Sequence, residues 1–131
     1  MKRVFKLLVL SISILCLSVS ASAVMAIEPF SINTNTYTLF LTFSGNTAYC
    51  DLTITGATGT THINNCTITL KESNGTPVSQ WTNLSASGTK LTASRTASVS
   101  TGKTYVLSFS ATVHRNGVAE PISGSITRTY N

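Results

Sequence analysis

Residues 37–43 read YTLFLTF, and this stretch decides the fold class of the chain. A β-strand points successive side chains to opposite faces, so an apolar residue at every second position marks one buried face. Residues 44–46 read SGN, which is typical of a turn. The stretch therefore predicts a strand with one face in a core, and its inward side chains are Tyr37, Leu39, Leu41 and Phe43.

The same alternation recurs along the rest of the chain, with glycine and asparagine turns between the runs. It predicts further strands at about residues 48–54, 61–72, 78–81, 90–99, 105–113 and 122–130. Seven short strands without any helical period after residue 26 are typical of an all-β domain. We therefore expect an antiparallel, two-sheet, immunoglobulin-like sandwich, and a small β-barrel is the alternative.

The N-terminus has the pattern of a secretory signal peptide. Residues 1–6 read MKRVFK, and an apolar stretch interrupted only by serines follows from residue 7 to about residue 19. This stretch is shorter than the about 20 residues that span a bilayer. Small residues allow cleavage after Ala23 or Ala26, with the second slightly favoured. We predict a signal peptide at 1–26, one domain at 27–131 and no stable membrane insertion after cleavage.

Charge changes when the leader is removed, and the change bears on the partner class. The whole chain has nine Lys and Arg and four Asp and Glu, a formal net charge of +5. The leader holds three of the basic residues and no acidic one, which leaves six against four, or +2. The remaining basic residues are spread singly and form no stripe that could follow a phosphate backbone. We therefore expect no binding to nucleic acid.

Two cysteines, Cys50 and Cys66, remain after the leader and its Cys16 are removed. An even pair in an exported chain is typical of a structural disulfide. If the second and third strands form a hairpin about Thr58, Cys50 faces Cys66 and the bond fits that register. A crossing between two sheets is the rival geometry.

Catalytic and metal chemistry have little support in the sequence. The acidic residues after the leader are Glu28, Asp51, Glu72 and Glu120, and the histidines are His62 and His114. Asp51 and His62 are expected on opposite sides of the predicted hairpin, which argues against a Ser-His-Asp arrangement. The histidines lie far apart in sequence without a metal-ligand spacing. We predict no enzyme, no metal and no cofactor.

Two features could carry recognition. Trp81 is a possible ligand contact, which could stack on a sugar together with Tyr37, Tyr49 or Tyr130, although filling the core is the plainer role for these rings. Threonine ladders could present flat hydroxyl arrays to ice or to a wall polymer, although ordinary solvent-facing strand residues explain them as well. They are residues 53–55, 67–69 and 127–129.

The stretch at residues 99–109, VSTGKTYVLSF, resembles the approach to the sixth strand of fibronectin type III and related domains. In those domains a tyrosine hydroxyl bonds back to the backbone, so the resemblance implies a structural corner role for Tyr105. No cysteine follows Tyr105, unlike the antibody domains. Residues 45–130 also resemble small uncharacterised secreted proteins of Gram-positive bacteria, in residues 59–61, 68–71, 78–81 and 102–105. That resemblance implies export and fold, and no activity.

These observations predict a secreted, non-catalytic binding or structural module. We expect it outside the cell, or loosely associated with the cell surface, with an extracellular glycan or protein as partner. The alternative is a diffusible effector, such as a small antimicrobial or inhibitor protein. A subunit of a surface polymer would show an unpaired strand edge, and the sequence supplies a strand for every position.

Overall fold

The computed structural model describes residues 22–26 and 33–131. These residues form two four-stranded antiparallel sheets. Sheet A has the order β1-β2-β3-β6 and sheet B the order β5-β4-β7-β8. The described residues contain no helix. The strands are β1 Ser22–Ala26, β2 Thr34–Ser44, β3 Thr47–Gly56, β4 Thr60–Glu72, β5 Pro77–Ser87, β6 Lys90–Ser98, β7 Lys103–Arg115 and β8 Val118–Tyr130.

The predicted two-sheet sandwich is confirmed, and the sheets are open rather than closed into a barrel. Strands β2 to β8 are the seven expected from the alternation. Strand β5 is longer than predicted, because residues 82–87 continue the strand where the serines and asparagine suggested a loop. Strand β1 lies within the predicted signal peptide and pairs with β2 from Ser22 opposite Leu41 to Ala26 opposite Tyr37.

The predicted hairpin between the second and third strands is wrong. Strand β3 pairs with β2 and β6, whereas β4 pairs with β5 and β7. The turn at residues 57–59 therefore carries the chain from sheet A to sheet B, which is the rival geometry considered above. The chain crosses again between β5 and β6 and between β6 and β7, as in Greek-key sandwiches.

The core lies between the two sheets and is built from their inward rows. Sheet A contributes Leu39, Leu41, Leu52, Ile54 and Leu91, and sheet B contributes Ile63, Ile68, Leu70, Leu107 and Val113, all with at most 2% of their surface exposed. Burying side chains of this size stabilises a domain by about 1.5–3 kcal/mol each. The inward rows therefore fix which residues point to solvent.

The sheet edges carry features that disfavour pairing with another chain. Arg95 of the edge strand β6 and Arg128 of the edge strand β8 occupy inward positions of the alternation. The Arg128 guanidinium donates to the carbonyl oxygen of Leu41 in β2 at 3.0 Å. Strand β8 also contains Pro121, and β5 begins with Pro77. Inward charges and prolines are common protections of edge strands.

One close approach in the core requires glycine. A Cβ atom at Gly124 of β8 would lie 2.5 Å from the Tyr37 hydroxyl and 2.9 Å from a ring carbon of Phe109. Tyr37 and Phe109 themselves pack edge to face, with ring centroids 4.8 Å apart. Gly124 therefore leaves the space in which these two rings meet across the sandwich.

We expect Gly124→Ala to lower the free energy of unfolding by about 1–3 kcal/mol, because an added methyl group overpacks a filled core. Urea denaturation followed by Tyr and Trp fluorescence measures the change. Ser125→Ala, at the next and exposed position, is the control and should change stability by less than about 0.5 kcal/mol. Equal stability of Gly124→Ala and wild type would contradict this packing.

Candidate functional site

The outer side of sheet A is rich in hydroxyl groups. Strands β2, β3 and β6 contribute five outward positions each, and we call these fifteen positions the sheet A face. Eight of them are threonines and three are serines. Its five cross-strand rows are Thr36-Thr55-Lys90, Thr38-Thr53-Thr92, Phe40-Asp51-Ser94, Thr42-Tyr49-Thr96 and Ser44-Thr47-Ser98.

Two aromatic rings stand at the middle of the sheet A face. Phe40 is 36% exposed and Tyr49 is 41% exposed, and Val118 is the other exposed large hydrophobic residue in the described part of the chain. Phe40 faces Asp51 and Tyr49 faces Thr42, so the two rings are diagonal neighbours on adjacent strands. Such neighbours lie about 7–8 Å apart at the backbone, within reach of aromatic side chains. They form one apolar patch within a hydroxyl lattice.

The sheet A face is close to electrically neutral. Asp51 and Lys90 are its charged residues among the fifteen positions, and their formal charges cancel. Neighbouring positions within a row are about 4.8 Å apart, and successive rows are about 6.6–6.8 Å apart along the strands. The face therefore offers regularly spaced hydrogen-bonding groups around two rings, without a strong field of either sign.

The aromatic surface predicted around Trp81 does not form as a unit. Trp81 lies in β5, opposite Ile68, and is half-buried against the core. Tyr37 is buried in the core, whereas Tyr49 stands on the sheet A face. Tyr130 stacks on Phe43 with ring centroids 4.6 Å apart. Trp81 as a ligand contact stays a prediction, without the three tyrosines beside it.

The threonine ladders divide between the two sheets. Thr53 and Thr55 belong to the sheet A face, whereas residues 67–69 and 127–129 lie in β4 and β8 of sheet B.

Phe40 is not singled out in the sequence analysis, although the alternation in residues 37–43 already places its side chain on the outward face. It is the outward residue at the centre of YTLFLTF, where an apolar side chain has no core to enter.

The predicted disulfide is absent, and both cysteines are free thiols. Cys50 lies on β3 of sheet A and Cys66 on β4 of sheet B, so they do not face each other in one ladder, and they do not come within disulfide distance across the two sheets. Neither has any exposed surface. Burial raises the pKa of Cys50 to about 12, with a further contribution from Asp51, and it raises the pKa of Cys66 to about 11 against the opposing charge of Arg95.

Tyr105 ties the start of β7 to the loop before it. Its hydroxyl donates to the Ser100 carbonyl oxygen at 3.2 Å and accepts from the Ser100 amide at 2.9 Å. The Tyr105 ring is 2% exposed and lies 5.7 Å from the ring of Phe43. The residue therefore makes the kind of backbone contact that the resemblance to fibronectin type III domains implies.

The structure brings His62 and His114 together, contrary to the expectation from their distance in sequence. They face each other in the β4 and β7 ladder, and their rings stack with centroids 4.0 Å apart and planes inclined by 13°. Asp51 lies in sheet A and His62 in sheet B, so these two form no catalytic pair. Within residues 22–26 and 33–131, no group of three or more His, Cys, Asp and Glu side chains could hold a metal ion.

A shallow cleft of about 460 Å³ opens on sheet B, where β4 has a bulge. Asn65 in this bulge has a positive φ of 50°. The lining is formed by small polar and aliphatic groups and carries no charge: Asn65, Ser110, Ala111, Thr112, Pro121, Ile122 and Ser123. Such a lining supplies no acid, base or nucleophile of the activated kind that catalysis needs.

Comparison with protein families, curated proteins and solved structures gives no match for this chain. Among the described residues, no helix is long and apolar enough to cross a membrane. The functional argument therefore rests on the surfaces described above.

We expect the buried thiols to make stability fall at alkaline pH. Unfolded thiols ionise near pH 9.0, whereas burial raises the folded pKa values to about 12 for Cys50 and about 11 for Cys66, so ionisation stabilises the unfolded state as pH rises through this window. The stabilising difference is complete below pH 9 and is lost above it. Urea denaturation at pH 7, 9 and 10 should give a shallower decline for Cys50→Ala than for wild type. Identical slopes would show that Cys50 ionises equally in both states.

We expect Tyr105→Phe to lower the free energy of unfolding by about 1–3 kcal/mol, because the Ser100 amide and carbonyl both lose a partly buried partner. Tyr49→Phe is the matched control, since its hydroxyl is on an exposed side chain and its loss should cost less than about 0.5 kcal/mol. Equal losses in the two variants would contradict a corner role for Tyr105.

Proposed function

We propose that the domain is an exported, non-catalytic binding module that holds a neutral polysaccharide chain against the sheet A face. One observation carries this proposal: Phe40 and Tyr49 stand exposed and adjacent at the centre of a neutral lattice of threonine and serine hydroxyls. A rigid sandwich presents such a face without any moving part. Binding, rather than catalysis, is the role that these side chains support.

The two rings supply the apolar part of the recognition. A pyranose ring has a face of C–H groups, which packs on the plane of an aromatic side chain, and burying such area is favourable. Both rings already expose more than a third of their surface on a sheet that needs no rearrangement to reach them. The entropic cost of binding is reduced accordingly, because the site is pre-organised.

The hydroxyls and Asp51 supply the polar part. Asp51 lies opposite Phe40, and Ser94 continues the same row on β6. A carboxylate accepts hydrogen bonds from sugar hydroxyls, and threonine and serine both donate and accept. Because repeated rows lie along the strands, a chain of sugars has further groups to contact beyond the two rings.

The charge of the sheet A face favours a neutral polymer. Recognition of sulfated or phosphorylated chains relies on clustered Arg or Lys, which bind these anions strongly. The sheet A face has Lys90 at one end and Asp51 near its centre. An anionic chain would be attracted by Lys90 and repelled by Asp51, whereas a neutral chain would not be repelled by either residue.

Export is part of the same proposal and is supported by the leader pattern at residues 1–26. Cleavage after Ala26 would remove β1 and leave β2 as the edge of sheet A, with the sheet A face unchanged on β2, β3 and β6. The mass of the protein collected from culture medium would show whether the mature chain starts at Val24 or Ile27.

We expect the mature domain to be retained on insoluble neutral polysaccharides and on cell-envelope polysaccharide. Phe40→Ala and Tyr49→Ala should each lower the bound fraction, and the double variant should abolish retention, because both stacking planes are lost. Affinity electrophoresis and pull-down with a panel of polysaccharides measure this.

Trp81→Ala is the control that separates the two aromatic candidates, after circular dichroism has shown that every variant is folded. Normal retention of Trp81→Ala would support the sheet A face. Retention lost in Trp81→Ala but kept in the Phe40 and Tyr49 variants would place the site on sheet B and contradict the proposal. Failure of the wild type to bind any polysaccharide would also overturn it.

A further inference from the structure

The stacked histidines lie on the outer side of sheet B, away from the sheet A face. The cross-strand row there is Ser87 in β5, His62 in β4, His114 in β7 and Ala119 in β8. Both rings are partly exposed, so an ion in solution can reach them. The neighbours in the row, Ser87 and Ala119, are small.

Each ring has one nitrogen within hydrogen-bonding distance of an oxygen. The Thr61 hydroxyl lies 3.0 Å from His62 Nδ1 and 3.3 Å from the carbonyl oxygen of His114. When the hydroxyl donates to that carbonyl, it accepts from His62, and neutral His62 then carries its proton on Nδ1. His114 Nε2 lies 2.8 Å from the Asn64 Oδ1 atom, which accepts, so neutral His114 carries its proton on Nε2.

Each ring is thus left with one unprotonated nitrogen, Nε2 of His62 and Nδ1 of His114. This arrangement is typical of metal-binding histidines, in which the second ring nitrogen donates to an oxygen that fixes the tautomer and the ring orientation. Thr61 and Asn64 take that supporting position here. If the two histidines lay apart, the same hydrogen bonds would not leave two unprotonated nitrogens near one another.

We propose that His62 and His114 form a two-imidazole site for a divalent late transition-metal ion, of the class of Cu²⁺, Ni²⁺ and Zn²⁺. Imidazole nitrogen suits these ions, whereas Ca²⁺ and Mg²⁺ need oxygen ligands. The row offers no carboxylate, which disfavours the harder ions further. The remaining coordination positions are open to water or to a ligand group from a bound partner.

The two stacked rings are close enough in space to share one ion only if they reorient. Metal–nitrogen bonds of about 2.0–2.1 Å place two neighbouring ligand nitrogens about 3 Å apart. The ring centroids are 4.0 Å apart in the ion-free pair. Binding of one ion requires the two partly exposed rings to tilt out of this parallel stacking, so that Nε2 of His62 and Nδ1 of His114 converge while β4 and β7 keep both Cα positions in register.

The test is binding of NiCl2, CuCl2 and ZnCl2 to the untagged mature protein in a non-coordinating buffer, by titration calorimetry and by retention on an immobilised Ni²⁺ column. We expect one ion per chain for Ni²⁺ and Cu²⁺ and no heat with CaCl2 or MgCl2. His62→Gln and His114→Gln should each weaken binding by roughly 100-fold, because the second ligand no longer acts intramolecularly.

Asn64→Ala separates a supported site from two unrelated surface histidines. We expect weaker Ni²⁺ binding, by about tenfold, since the acceptor that orients His114 is lost. Addition of Cu²⁺ should broaden the imidazole NMR signals of both histidines together in the wild type.

Three results would overturn the proposal. The first is equal binding by the His62→Gln/His114→Gln double variant and the wild type, which would place the ion elsewhere, for example on the N-terminal amine. The second is binding that either single variant retains at full strength, which would show that the two rings do not share an ion. Absence of Ni²⁺ and Cu²⁺ binding by folded wild type would overturn it as well.

Discussion

Burial of the two inward rows of side chains is the constraint on which the rest of the structure depends. Leu39, Leu52, Ile68 and Leu107 are almost completely removed from solvent, and each fixes the orientation of its strand. A strand has only two faces, so fixing the inward residues also fixes the outward ones. The sheet A face and the histidine row are consequences of this core. Their side chains are held in place by core residues that lie on the opposite face of each strand.

The sequence was a good guide to the strands and a poor guide to which strand pairs with which. Apolar alternation at residues 37–43 and in the later runs is a local property, and it predicted the seven strands β2 to β8. The turn at residues 57–59 suits a hairpin as well as a crossing between sheets, and the hairpin was wrong. Pairing depends on how all strands share one core, which no single turn encodes. The predicted strand at residues 78–81 is shorter than β5. The reason is that β5 is an edge strand, and residues 82–87 form part of it without the apolar alternation on which the prediction relies.

The candidate sites show the same division between local and global information. Cys50 and Cys66 are both buried, but they do not form the predicted bond. Phe40 could have been found from its parity, whereas the diagonal contact with Tyr49 depends on the β2 and β3 register. The meeting of His62 with His114 depends on a register shift in the β4 and β7 ladder on either side of the pair, including the bulge after Asn64. A bulge of one residue is not visible in hydrophobic periodicity, and without it the two rings would not align.

The protected edges have a consequence for how many copies can stand side by side. A bare strand edge invites a neighbouring molecule to extend the sheet, and the tendency grows steeply with local concentration. Here the inward positions of Arg95 on β6 and Arg128 on β8, together with Pro121 of β8, disfavour the addition of a strand at these two edges. Growth of fibrils through the β6 and β8 edges is therefore disfavoured, even where many copies are crowded together.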